Sequence, residues 1–323
     1  MASLSARRAR RVRPRPSRVR PALIAFAVVG ATVTGAVYGQ GHARPDAGGA
    51  VSSSPSAPSG GEDSVETVEP AEPVADGDAR LAAAMASVTV PEGAEMSVAV
   101  LDPESGGSAS WGAGAFDTAS IVKVDILAAL LLEAQDAGRS LTAEEEAYAT
   151  AMIEESDNDS ASALWRAIGA ADGLDAANER FGLTGTRGGD GPLWGLTQTT
   201  AADQVVLLRQ VFVAEGSALS EAARTYVRGL MERIADGQRW GVSAAADAAA
   251  DGVGGSAWAL KNGWLRRSTT GLWVVNSIGR VVSGGRGYLV AVVSRGSGTQ
   301  AEGIALTEAA ARAAVAVFTD VGS

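Results

Sequence analysis

The chain has 323 residues, 27 basic and 37 acidic, for a net charge of −10, with no cysteine and a single histidine, His42, in a Pro/Ser/Gly-rich stretch. This inventory excludes disulfides, thiolate nucleophiles and cysteine-ligated zinc, and it rules out a Ser-His-Asp triad or a two-histidine metal site. Any general base has to be Lys, Asp, Glu or Tyr.

Charge is distributed unevenly. Residues 1–20 carry eight arginines and no acid, and Ala22–Tyr38 follows as 17 residues without a charge. A basic block before an apolar run reads as a topogenic segment whose arginines stay cytoplasmic. Residues 1–20 are therefore expected to be a basic cytoplasmic segment and 21–39 a membrane anchor, with a signal peptide cleaved near Gly41-His42-Ala43 as the rival. Residues 40–78, rich in Pro and Ser and then acidic, read as a disordered tether with too little apolar surface to offset chain entropy. The remaining 79–323 holds 18 basic and 29 acidic residues. That balance disfavours nucleic acid, and the length suffices for one substantial core. The bulk of the chain is expected outside the cytoplasm, anchored or secreted.

Within 79–323 the apolar patterning predicts a helix over 79–87 and a strand pair over 97–102 and 107–111. An almost wholly apolar helix over 121–133 follows, then helices over 143–154, 160–169, 172–181, 200–214 and 219–235. Strands are expected at 257–263, 271–278 and 287–295, and a last helix at 303–318. This order implies an α/β (α+β) fold: an antiparallel five-stranded sheet flanked by the terminal helices, with an all-helical insertion as a second lobe. A cleft between lobes is a common place for a site.

The chain has 25 arginines but only two lysines, Lys123 and Lys261. Lysine differs from arginine in being able to lose its proton when buried. Lys123 ends Ser120-Ile121-Val122-Lys123 at the start of the apolar helix. A three-residue spacing puts the Ser hydroxyl and the Lys amine on one helical face, and burial frees the amine as a base. Ser156-Asp157-Asn158 follows a helix, and alternation lets Ser156 and Asn158 face a cleft while Asp157 turns away. Lys261-Asn262-Gly263 lies on a strand whose glycine admits close approach of another backbone. Singly, each has a plainer reading: an incidental Ser cap with a snorkelling Lys, a turn in which Asp159 or Ser160 caps the next helix, and an edge-strand lysine that deters aggregation.

Taken together in this order, the SxxK, SDN and K-x-G segments resemble the signature of class A β-lactamase-like, penicillin-recognising serine hydrolases. Phe116–Lys123, Ser156–Ala161, Thr199–Asp203 and Tyr288–Ser294 share the texture of that family, so the likeness spans nearly all of 79–323. The resemblance implies a β-lactamase/transpeptidase-like fold and an acyl-enzyme. Ser120 would be the nucleophile, Lys123 its base and Ser156 the proton relay. Asn158, Lys261, Asn262 and Gly263 would bind substrate, and the backbone N–H groups of Ser120 and Trp264 would form the oxyanion hole. It implies no cofactor and no metal.

Two departures from the family pattern stand out. Asn262 replaces a threonine, so a hydroxyl contact to the substrate carboxylate is expected to become an amide contact. The family's deacylating glutamate is missing: the loop between Thr186 and Thr199 is short, and Asp190 is its only acid. Asp190 is the one remaining candidate to activate water. The expected function is an extracytoplasmic hydrolase acylated at Ser120 by β-lactams or D-Ala-D-Ala-type peptides, with slow deacylation. A cell-wall D,D-peptidase and a non-catalytic tethered binding module are the alternatives. The expected partners are a β-lactam or peptidoglycan-type small molecule and, through the N-terminal segment, a membrane; nucleic acid is not among them and no protein partner is identifiable.

Overall fold

A computed structural model describes residues 77–247 and 256–319, all within the unit Glu69–Ser323. The basic segment, the apolar segment and most of the tether lie outside the described residues. Among the described residues no helix is long and apolar enough to cross a membrane.

The elements run α1 (Gly77–Met85), β1 (Glu95–Leu101), β2 (Ser108–Trp111), β3 (Phe116–Asp117), α2 (Val122–Asp136), α3 (Ala143–Glu154), α4 (Asn158–Ala167), α5 (Ala170–Phe181), β4 (Gln198–Thr199), α6 (Ala201–Phe212), α7 (Glu221–Met231), β5 (Trp258–Arg266), β6 (Trp273–Ser283), β7 (Arg286–Ser297) and α8 (Gln300–Thr319). The five long strands form one antiparallel sheet in the order β2-β1-β7-β6-β5. The expected sheet and its flanking helices are present. β3 and β4 pair with each other over two residues, too short for alternation to reveal.

Side chains alternate across the sheet. Leu289, Ala291 and Val293 of β7 join the core shared with the helical lobe, whereas Tyr288, Val290 and Val292 join the core under α1 and α8. α6 packs against β1, β6 and β7, while α2 runs among α3, α4, α5 and α7, with 12 of its 15 residues buried. All-round apolarity made this helix the most predictable element, because only a central helix can bury such a surface. α3 opens with a complete capping box, Thr142 with Glu145.

One buried residue of α2 is an acid. Asp125 Oδ1 accepts from Gln204 Nε2 (3.2 Å), which also donates to Thr199 Oγ1 (3.0 Å). Thr199 Oγ1 meets Thr186 Oγ1 at 2.8 Å, and Thr186 donates to Asp203 Oδ2 at 2.7 Å. Asp125 Oδ2 and Gln204 Oε1 are both buried and lack a donor, a deficit that a proton on Asp125 can relieve. Burial pushes the Asp125 carboxyl up to about 7, with the nearby Asp203 charge in the same direction and the Gln204 bond opposing.

A carboxyl raised on folding stabilises the native state at low pH, and that contribution is lost as pH rises through the folded pKa. Asp125→Asn supplies a neutral donor at the same place. Relative to the variant, the parent should lose stability between about pH 4 and about pH 7, read as the difference in urea midpoints. A difference that does not change over this window would mean Asp125 is ionised throughout.

Candidate active site

The turn that carries Ser120 is held from three sides. Asn276, wholly buried on β6, donates Nδ2 to the carbonyls of Asp117 (2.8 Å) and Thr118 (2.9 Å). Its Oδ1 accepts from Ser294 N on β7 (2.8 Å). Thr118 N donates to Thr197 O at 2.8 Å, and Arg267 pairs with Asp117 at 3.2 Å. Ala119 then takes a φ of +48°, a costly conformation for a residue with a Cβ. The chain continues as a 3₁₀ turn, Ala119–Ile121, which runs straight into α2. Ser120 is half-buried at that junction and Lys123 lies in the first turn of the helix.

The outer strand β5 abuts this turn. A Cβ placed on Gly263 would lie 2.6 Å from Ser120 N, 2.7 Å from Ile121 N and 2.8 Å from Thr118 O. These are backbone atoms that cannot yield, so only glycine fits. The peptide between Gly263 and Trp264 therefore sits beside the backbone of Ser120.

The second lobe supplies Ser156 and Asn158. Asp157 is the N-cap of α4, accepting from Asp159 N (3.0 Å) and Ser160 N (3.2 Å). The expected cap at Asp159 or Ser160 is thus corrected to Asp157. The capping interaction turns Asp157 away, and Ser156, with a φ of +58°, and Asn158 both reach Lys123. Lys123 Nζ donates to Ser156 O (2.7 Å), Ser156 Oγ (3.1 Å) and Asn158 Oδ1 (2.9 Å). Lys261 Nζ donates to the same Ser156 Oγ (3.0 Å) and to Asn262 O (3.1 Å), with Gln238 Oε1 at 3.5 Å. Ser156 Oγ is thereby shared by two amines from different lobes.

Both lysines are fully buried, and among the described residues neither forms an ion pair with an acid. Loss of water on burial brings Lys123 down to about 7, partly offset by the negative charge of Asp157. Lys261 is held well below the ordinary lysine range, first by burial and then by the charge of Lys123. The hydroxyl of Ser156 can accept from an ammonium or donate to a neutral amine, so the cluster accommodates either protonation state.

The structure brings Lys123, Ser156, Asn158 and Lys261 into one cluster, with Ser120 one helical turn from Lys123 and backed by Gly263. Ser120 Oγ makes no hydrogen bond to Lys123 in this arrangement. Two expected roles are corrected. Asn262 is wholly buried and spends both amide protons on the carbonyls of Gln238 (2.7 Å) and Trp240 (3.1 Å), so it braces the segment after α7 and does not face a substrate. Asp190 is exposed and contacts none of the cluster. The residue of that loop that does reach Lys123 is Trp194, whose ring centroid lies 5.0 Å from Nζ.

Sequence reasoning missed Asn276, Trp194, Gln238 and Trp240. A lone Asn in the apolar run Val274-Val275-Asn276-Ser277-Ile278 was the available signal for the first. Trp240 packs its ring 5.9 Å from that of Trp264, and this contact has no sequence signature.

A helix start that carries Ser120, two buried lysines and a shared serine meet at the junction of a sheet and a helical lobe, an arrangement suited to a serine hydrolase of the acyl-enzyme type. Residues 146–318, more than half of the chain, match the family model described as the beta-lactamase enzyme family, and the chain belongs to that family. No curated protein matches it by sequence. Among solved structures, PBP-A superposes with a TM-score of 0.63 at 19% identity, over 75% of this chain and 97% of that one. A class A beta-lactamase from Bacteroides cellulosilyticus DSM 14838 gives 0.62 at 14% identity, over 76% and 99%. A beta lactamase from Burkholderia vietnamiensis gives 0.61 at 20% identity, over 78% and 99%. At these identities the likenesses establish the fold alone.

Gly263→Ala forces a methyl group into the backbone of the Ser120 turn. It is expected to destabilise the domain by about 1–3 kcal/mol in denaturant unfolding, the usual scale for overpacking. An alanine variant as stable as the parent would mean that this turn does not rest on β5.

Proposed function

We propose that the protein is an extracytoplasmic penicillin-binding serine hydrolase that takes up β-lactams or D-Ala-D-Ala-type peptides as esters of Ser120 and releases them slowly. The observation that carries this reading is the pair of buried lysines converging on Ser156 Oγ (3.1 and 3.0 Å), with no carboxylate among the described residues ion-paired to either. The chemistry follows from those groups. Lys123, as a neutral amine, takes the hydroxyl proton of Ser120 while Oγ adds to the substrate carbonyl carbon. The N–H groups of Ser120 and Trp264 stabilise the oxyanion, each such donor contributing about 3–4 kcal/mol. The carbonyl–nitrogen bond then breaks, and a proton passes through Ser156 to the departing nitrogen. Lys261 attracts the substrate carboxylate, and exposed Asn158 holds its amide.

Release needs a base to activate water. The absence of a loop glutamate and the outward position of Asp190 favour a long-lived ester over rapid turnover. That balance suits a D,D-peptidase or a β-lactam sensor as well as a slow β-lactamase. The likeness to PBP-A, of which a point mutant is described as an acyl-enzyme complex with penicillin G, supports the same substrate class. The arginine block and apolar run before residue 39 support a membrane tether that places the domain outside the cytoplasm.

A fluorescent penicillin tests the reading. It is expected to label the parent covalently, to remain bound for many minutes, and to fail on Ser120→Ala and on Lys123→Arg, because arginine keeps its proton near neutral pH. Labelling of the alanine variant would remove Ser120 from the mechanism, and no labelling of the parent would favour a binding module.

The pH dependence is a separate expectation. Lys123 is neutral above about 7 and charged below it, so the labelling rate should rise through about pH 7 and then level off. A rate that falls over that interval would exclude the amine as the base.

A further inference from the structure

The loop that lacks a glutamate places an aromatic ring over the catalytic amine. Its ends are joined by reciprocal hydrogen bonds between Arg187 and Gln198 (2.8 and 2.9 Å). Its interior is closed by Gly189 N to Thr197 Oγ1 (3.1 Å) and Leu193 N to Asp190 O (3.0 Å), and it is pinned to α4 by Trp165 Nε1 to Gly191 O (2.8 Å). The loop ends in the 3₁₀ turn Trp194–Leu196. A Cβ on Gly195 would lie 3.9 Å from Ala119 Cα, so this turn sits against the residue that precedes Ser120.

The half-buried Trp194 ring has its centroid 5.0 Å from Lys123 Nζ, within the range of a cation–π contact. Its orientation is fixed: Nε1 donates to Ser162 Oγ (3.1 Å), which in turn donates to Asn158 O (2.8 Å). An indole has one donor and no acceptor, and the donor is already used. The ring therefore cannot activate water.

We infer that Trp194 is a positioning residue that roofs Lys123, keeps water from the ester on Ser120 and so sets the lifetime of the acylated protein. The inference rests on acylation of Ser120 as proposed above. In the step it retards, water oxygen adds to the ester carbon, the bond from that carbon to Ser120 Oγ breaks, and one water proton returns to Oγ as the acid product leaves. That sequence needs space for a water molecule beside Lys123, and a ring centred 5.0 Å from Nζ restricts that space.

The test compares Trp194→Ala, Trp194→Gln and Trp194→Phe with the parent in two measurements. The first is the half-life of a penicillin label. The second is the rate at which cyanate carbamylates Lys123, by addition of the neutral amine nitrogen to the carbon of isocyanic acid. Because the chain has only two lysines, peptide mass spectrometry reads this cleanly. The alanine and glutamine variants are expected to shed the label and to carbamylate at least about tenfold faster, a loss of barrier of about 1.4 kcal/mol. Trp194→Phe keeps the ring without the Ser162 bond and should stay near the parent in both. The glutamine variant keeps side-chain bulk and serves if the alanine variant folds poorly. Unchanged label half-life in folded alanine and glutamine variants would overturn the inference. Should the parent take no label, the acylation reading fails and the cyanate rate alone decides: faster modification with rescue by phenylalanine supports the roof, and an unchanged rate removes it.

Discussion

Two buried amines donating to one hydroxyl, with no ion-paired acid among the described residues, is the constraint around which this molecule is organised. In water such a pair would both be charged and would repel. Buried, each loses solvation, and proximity adds a further penalty, so at least one proton is easily given up. Arginine could not serve, because its guanidinium does not release a proton in this pH range. The chain uses arginine almost everywhere else that it carries positive charge, and retains lysine at these two positions alone.

The surrounding packing keeps this unfavourable arrangement in place. α2 is embedded among α3, α4, α5 and α7, so it cannot rotate to expose Lys123 without unpacking the helical lobe. β5 holds Lys261 from the other side, and Gly263 lets the same strand touch the backbone of Ser120. Asn276 joins β6, β7 and the turn that carries Ser120 through three hydrogen bonds. Of the three residues other than glycine with positive φ among those described, Ala119 and Ser156 flank the site, which is where stored backbone strain is expected to collect. The segment after α7 is braced by Asn262 against β5.

Much of this was legible in the sequence, for identifiable reasons. An apolar helix without a polar face has to be central, alternating strands bounded by glycines have to pair, and the scarcity of lysine drew attention to two positions that proved to be neighbours in space. What escaped depended on tertiary direction. Alternation puts Asn262 on the face opposite Lys261 in any strand, but β5 is buried over Ala259–Gly263, so no polar pattern marked which face meets the cleft. Asp157, Asp159 and Ser160 are all competent caps, and only the backbone decides among them. In the loop, chemistry pointed to Asp190, but the closing hydrogen bonds turn Trp194 inward and leave the acid outside. The Asn276 bridge spans nearly 160 residues of sequence and is visible only once the sheet is assembled.

The ionisation of the two amines themselves is the most direct test. Protein labelled with ¹³C at lysine Cε yields two resonances, one for each lysine, whose shifts can be followed against pH and assigned with Lys123→Arg. The Lys123 resonance is expected to titrate with a midpoint near 7, and that of Lys261 far below the ordinary lysine value of 10.5. Two resonances titrating together near 10.5 would contradict it, since both amines would then be permanently charged at neutral pH and neither could take a proton from Ser120.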